Sequence, residues 1–162
     1  DTQNSEMWYP RFRFAEALLI AAEAAYELGG TNKVKAVEYI NRVRARGGIK
    51  ELTESTITFE HIVNEYRVEF AFEDHRWWDL KRWRLAHTVW NGVIDSPTAQ
   101  MYSLFPYKVY APGSPYDGKW AFEKSRSYMA PNARNFTMRC YYGSIDDGWI
   151  NKNPKLVKNP LQ

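Results

Sequence analysis

The sequence predicts an all-α fold, helical hairpins followed by a long loop-rich C-terminal region, and three observations carry that expectation. Apolar residues recur at helical spacing from about residue 11 to residue 92. Paired glycines, Gly29-Gly30 and Gly47-Gly48, interrupt the pattern where helices would stop. Seven of the eight prolines fall after residue 92, where the periodicity fades. With 162 residues, 44% of them hydrophobic, the chain is expected to form one domain with a buried core, residues 1–92 as scaffold and 93–162 as loops.

The first helix is expected from about Arg11 to Leu28. Leu18, Ala22, Ala25 and Tyr26 share one face, Phe14 and Ala15 extend it, and the alanines favour helix intrinsically. Thr31 or Asn32 is placed to cap a second helix with the core stripe Ala36, Val37, Ile40 and Val43. So short a connection makes the two helices antiparallel neighbours. The pair resembles one tetratricopeptide-type hairpin in its length of roughly 34 residues, and no second copy follows at that period. A third helix is expected from Thr58 as N-cap, with Glu60 in the first turn and Phe59, Ile62, Val63, Tyr66 and Phe70 turned inward. Its pattern continues to Trp90 and stops at Asn91-Gly92. A helix of that length is improbable in a compact domain, so a break is expected at Glu73 to His75. Beyond it, Ser114-Pro115-Tyr116-Asp117-Gly118 is a turn signal among extended loops with short helical or hairpin pieces.

The stretch Glu65 to Arg84 places ten charged side chains and seven aromatic rings, counting His75, in twenty positions without glycine or proline. Burying Phe70, Phe72, Trp77, Trp78 and Trp83 requires some of those charges to be paired beside the rings. Glu65, Arg67, Glu69, Glu73, Arg76, Asp79, Arg82 and Trp83 are therefore expected to form a structural ion-pair and aromatic cluster. Arg42 and Arg46, four apart on one helix face, suit the same cross-linking work.

The net charge of +3, with acids threaded through the most basic segment, argues against a nucleic-acid surface. The single cysteine, Cys140, excludes an internal disulfide and a cysteine-cluster metal site. His61, His75 and His87 lie twelve or more residues apart, too far to share a metal on one helix, and no metal or cofactor is expected. No glycine loop precedes a helix in the manner of a phosphate site. The carboxylate groups Glu65/Glu69, Glu73-Asp74 and Asp146-Asp147 are read as ion pairs or a turn instead of catalytic pairs. No apolar run reaches about eighteen residues, so no membrane span is expected. The chain opens on Asp1 with helical pattern close behind, which suggests a segment of a longer protein.

Tyr102, Tyr107, Tyr110, Tyr116, Trp120, Tyr128, Tyr141, Tyr142 and Trp149 all fall in the loop-rich half. Flat rings with polar edges suit sugars, peptides and protein partners at low entropy cost. Trp120, beside the Tyr116-Asp117-Gly118 turn, and Tyr116 itself are the candidate ligand-binding residues.

Taken together, RFRFAEALLIAAEAAYELGG, AVEYINRVRARGG and TFEHIVNEYRVEFAFEDHRWWDLKRW resemble, in order and spacing, the C-terminal half of the SusD/RagB family. That family carries an AE-rich helix, an IN-x-VR-x-R helix and a segment of the form ER-R-x-EF-x-FE-G-x-R-x-x-DL-x-RW. The last maps to Glu65, Arg67, Glu69, Phe70, Phe72, Glu73, Arg76, Asp79, Leu80, Arg82 and Trp83, and NKNPKLVKNP resembles the family's terminus. Tyr66 stands for a usual arginine and Asp74 for a usual glycine. No Pro-Ile-Pro is recognisable in YYGSIDDGW, and the chain ends at Leu161-Gln162 instead of a glycine-aromatic pair. The resemblance implies a non-enzymatic, surface-exposed outer-membrane lipoprotein that binds glycan or peptide and delivers it to a TonB-dependent transporter of the SusC type. The lipid anchor would lie outside this segment. A tetratricopeptide-like scaffold binding only protein partners is the alternative, and a glycosidase using the carboxylate pairs is a third.

Overall fold

The computed structural model describes residues 10–126 and 130–161, which form two compact units divided between Asp79 and Leu80. The chain is mostly helical. In the first unit, α1 (Phe14–Leu28) and α2 (Lys33–Arg46) pack together as a hairpin, and α3 (Phe59–Glu69) lies against α1. Leu18, Leu19, Ala22 and Ala25 of α1 meet the expected stripe, in which Ala36, Ile40 and Val43 are buried and Val37 is half-buried. Leu19, Ile40 and Ile62 are completely enclosed, each contributing about 1.5–3 kcal/mol by apolar burial.

The helix ends follow local chemistry. Gly29 stops α1 at φ 66°, its N–H reaching the Tyr26 carbonyl. A single 3₁₀ turn over Gly30–Asn32 then starts α2, so neither Thr31 nor Asn32 acts as the expected side-chain cap; Asn32 is already helical at φ −72°. Thr58 does cap α3. Its hydroxyl accepts from the His61 N–H at 3.3 Å, and the His61 Nδ1 reaches back to the Thr58 N–H, completing a capping box with histidine at the third position.

The expected break falls between Phe70 and Asp74, where Phe72 (φ 67°) and Asp74 (φ 61°) both take the left-handed conformation. Asp74 occupies the position where the family form has glycine, and aspartate is among the few residues that tolerate this region. The reversal corrects one expectation. Phe70 is buried, but Phe72, Trp77 and Trp78 are exposed, because the chain leaves the helical face on which Phe70 lies before α4 (His75–Arg82) begins. Phe14 is likewise exposed on α1, under the Arg42 guanidinium 5.3 Å from its ring.

In the second unit, Leu80, Ala86, Trp90 and Phe136 form a small core, backed by Leu85, Val89 and Tyr141. The one-turn helix α5 (Ala86–Val89) feeds Trp90 into it. Asn91 and Asn135 form an isolated bridge that ties this core to the later chain, with Gly92 N–H donating to the Arg134 carbonyl and Phe136 N–H to the Trp90 carbonyl. Gly92 has φ 75°, and a Cβ there would meet the Asn135 side chain at 3.0 Å. Gly92→Ala combines a left-handed alanine with a clash, so a loss of about 2 kcal/mol is expected in urea unfolding.

The all-α expectation is corrected by a β-hairpin. Strands β1 (Tyr102–Lys108) and β2 (Trp120–Arg126) pair antiparallel, with Tyr102 opposite Arg126 and Lys108 opposite Trp120. Among the described residues the sheet has these two strands, so Pro106 sits where a missing N–H can face an edge. The segment is rich in aromatic residues, which favour strand, and prolines bar a helix from it. The predicted turn lies in the connecting loop: Asp117 N–H donates to the Ser114 carbonyl, its carboxylate accepts from Ala111 N–H at 2.8 Å, and Gly118 turns at φ 73°. A last helix, α6 (Asp147–Lys152), is capped by the Asp146 carboxylate accepting from Gly148 N–H.

Candidate functional site

Two sets of side chains carry the chemistry that the sequence singles out, one in each unit. In the first, the carboxylates of α3 and its exit meet guanidiniums from distant positions. Arg44 of α2 pairs with Glu65 at 2.6 Å while its Nε and Nη2 donate to the Lys50 carbonyl. Arg13, just before α1, pairs with Glu69 and Glu73, both at 2.8 Å, and its third nitrogen donates to the Glu69 carbonyl. Arg46 also reaches Glu69. The same Arg13 guanidinium lies 5.0 Å over the Phe70 ring, whose contacts continue as a stack on His75 at 4.4 Å. Hydrogen bonding to Glu73 comes first among the influences on Arg13, outweighing burial and raising its pKa above the ordinary guanidinium value.

The IN-x-VR-x-R pattern thereby acquires a role for each residue. Ile40 and Val43 enter the core, Asn41 clamps the Leu52 backbone with one bond given and one accepted, and Arg44 and Arg46 take the carboxylates. The arginines that lie among those acids in sequence are placed differently. Arg67 is exposed. Arg76 is partly buried with one nitrogen unpartnered, and burial followed by the neighbouring Arg67 lowers its pKa despite Asp79. Asp79 is buried, and the Arg82 guanidinium stacks 4.3 Å over Trp83. Sequence proximity does not point to Arg13 or Arg44, which supply the guanidiniums that meet Glu65, Glu69 and Glu73. Arg44 was detectable, because a charge directly following the core position Val43 has to sit at the edge of the interface.

Other candidates resolve plainly. Asp146 caps α6, and Asp147 pairs with Lys158 at 2.8 Å. Cys140 is exposed, and hydrogen bonding with the Thr137 hydroxyl holds its thiol below the ordinary value. His87 is hydrogen-bonded to the Tyr141 hydroxyl at 2.8 Å. Among the described residues no group of three acid, histidine or cysteine side chains could hold a metal, and no helix is long and apolar enough to cross a membrane.

The second set belongs to the hairpin. Trp120 opens β2 and Tyr116 stands in the connecting loop, 64% and 65% exposed, with the Lys119 ammonium 5.5 Å over the Tyr116 ring. Tyr107 and Tyr110 are also exposed there, whereas Tyr141 and Tyr142 are half-buried around Arg84; Tyr128 lies outside the described residues. At the base of the hairpin, the Asp95 carboxylate accepts from the Tyr102 hydroxyl at 2.8 Å and faces Arg126 at 3.4 Å.

That hydrogen bond from Tyr102 is the first reason the Asp95 pKa lies below its ordinary value, with Arg126 adding to it. A depressed carboxylate contributes stability above its unfolded pKa and loses it as pH falls through the folded one. The hairpin base is therefore expected to loosen only in acid below the usual carboxylate range. An NMR titration of Asp95 checks this, and Tyr102→Phe should move its midpoint upward.

The sequence model of the SusD family matches residues 1–161. The chain is 37% identical over 107 residues to SusD-like protein P2 of Formosa agariphila, covering 59% of this chain and 21% of that protein. It is 33% identical over 107 residues to Starch-binding protein SusD of Bacteroides thetaiotaomicron, covering 62% and 18%. It therefore spans about a fifth of the length of these curated relatives. The fold is similar to that of a SusD superfamily protein from Bacteroides vulgatus (TM-score 0.55, 22% identity, 93% of this chain and 27% of that one). Surface glycan-binding protein A from Bacteroides uniformis is similar too (TM-score 0.52, 26% identity, with the same coverage). A match running the length of the chain, on the residues whose ion pairs and core positions have just been described, shows that the chain belongs to the SusD family.

Proposed function

We propose that this chain is the C-terminal part of a non-enzymatic binding protein that captures glycan, with peptide as a second ligand class, at the outer face of an outer membrane. Captured ligand passes to a TonB-dependent transporter of the SusC type, and a lipid anchor outside this segment holds the protein at the surface. The α1–α2 pair serves as a tetratricopeptide-like element of a single scaffold domain, and the loops supply recognition. The observation that carries the reading is the exposure of Trp120 and Tyr116 on one hairpin and its loop, flat rings turned to solvent. The names of two similar proteins, one starch-binding and one glycan-binding, support the same class of ligand. The carboxylates that a glycosidase would need are engaged elsewhere: Glu65, Glu69 and Glu73 face guanidiniums, and Asp146 caps a helix.

Isothermal titration of the intact protein against panels of glycans and peptides tests the proposal. Binding to a glycan that weakens in Trp120→Ala and Tyr116→Ala supports it. Affinity for neither panel would overturn it in favour of a scaffold that binds only proteins.

A further inference from the structure

The two faces of the hairpin differ in charge. Side chains alternate across a strand, so the register divides them cleanly. One face carries Tyr102, Lys108, Trp120, Phe122, Lys124 and Arg126, with Leu104 and Pro106 between them. The other carries Ser103, Phe105, Tyr107, Ala121, Glu123 and Ser125. All three cations of the strands lie on the first face, and their one carboxylate, Glu123, lies on the second. The Lys124 ammonium, 3.8 Å over the Tyr102 ring, confirms that these two share a face across the strands.

Asp95 compensates Arg126 at the base of the hairpin. Lys108 and Lys124, further along, have no carboxylate within ion-pair distance among the described residues. Between and beside them stand Trp120 and Phe122, 64% and 62% exposed. They are two residues apart on one strand, so their side chains emerge about 6.6 Å from each other. A surface of this kind offers flat rings for stacking and ammonium groups at the same height. A neutral sugar chain would use only the rings. A sugar chain bearing carboxylate or sulfate groups would use both, since its anions would complement the two lysines. Lys108 has no counter-charge on this face among the described residues, and Lys124 is offset by the Tyr102 ring and, beyond ion-pair distance, by Asp95.

We infer that this hairpin face binds an anionic polysaccharide, and that Lys108 and Lys124 set the preference for charged over neutral glycan. The inference deepens the proposed glycan-binding role and rests on it.

The test compares polygalacturonate with its fully methyl-esterified form, which keeps the sugar ring and removes the charge. Dextran sulfate and dextran form a second such pair, and polyglutamate and a single-stranded oligonucleotide serve as anions without that sugar chain. Binding is measured on the intact protein at low and high salt. The expected result is at least roughly tenfold tighter binding of one anionic polysaccharide than of its neutral counterpart. That advantage should shrink sharply near 1 M salt, where the screening length falls to about 3 Å. Lys108→Gln/Lys124→Gln should erase the advantage while leaving neutral binding in place, and Trp120→Ala should weaken both. Lys35→Gln, an exposed charge on α2, should change nothing. These side chains are solvent-exposed, so the variants are expected to fold.

Equal affinity for charged and neutral chains overturns the inference but leaves glycan binding standing. No affinity for any of these polysaccharides overturns the inference, and the proposed function falls with it only when the glycan and peptide panels fail as well. Tight binding of polyglutamate or the oligonucleotide, insensitive to Trp120→Ala, overturns the inference in favour of an acidic macromolecular partner.

Discussion

Glu65→Ala is expected to cost about 3 kcal/mol of stability, read as a lower urea midpoint with an unchanged slope. Glu65 is 4% exposed and its partner Arg44 is nearly enclosed, so the substitution leaves a guanidinium facing a small void instead of water. The estimate sits at the low end of the range for a broken buried pair because Arg44 keeps two bonds to the Lys50 carbonyl. Glu65→Gln separates charge from shape: it retains the volume and one acceptor, so it should lose less than Glu65→Ala. Equal stability of Glu65→Ala and wild type would show that the pair contributes nothing net. The double variant Glu65→Ala/Arg44→Met, with both charges gone, should recover part of the loss, the signature of coupling between the two sites.

Arg13→Ala is expected to cost about 2 to 3 kcal/mol. One guanidinium here makes three hydrogen bonds, two of them to carboxylates, and covers the Phe70 ring. Charge-assisted bonds of this kind contribute about 1.5–3 kcal/mol apiece when enclosed. Arg13 keeps 24% of its side chain in water, and Glu69 retains Arg46 after the change, so the sum is discounted. Arg13→Lys is the decisive companion. It restores the charge without the planar fork that spans Glu69 and Glu73, and it should therefore recover less than half of the loss. Full recovery in the lysine variant would mean that charge alone, and not the forked geometry, holds α1 against α3.

Helix ends and the helix break were legible because they depend on groups within a few residues of one another. Gly29 stops α1 whatever surrounds it, and Thr58 caps α3 through an N–H three residues away. Even there the local account was incomplete: His61 closes the capping box in place of the usual glutamate, and the start of α2 uses a 3₁₀ turn instead of a side-chain cap. The hairpin was less legible. Both of its faces are largely exposed, so the alternation of apolar and polar residues that marks a half-buried strand is weak in YSLFPYK and WAFEKSR. Trp120 and Tyr116 could be named as exposed from the turn beside them, but that Trp120 shares a face with Lys124 and Tyr102 follows from strand register alone.

What the sequence by itself determined was therefore local and compositional: three helices, the glycine stops of the first two, a break before His75, and the motif order that identifies the family. Which acid meets which base was decided only by tertiary structure. Arg13 and Glu73 lie 60 residues apart, and Arg44 and Glu65 lie 21 apart. The physical reason is that a helix is specified by bonds four residues long, whereas a salt bridge between helices depends on where packing brings their surfaces together. Charges adjacent in sequence, such as Arg67 and Glu69, occupy different sides of one helix; charges distant in sequence meet because Leu19, Ile40 and Ile62 are buried in one core.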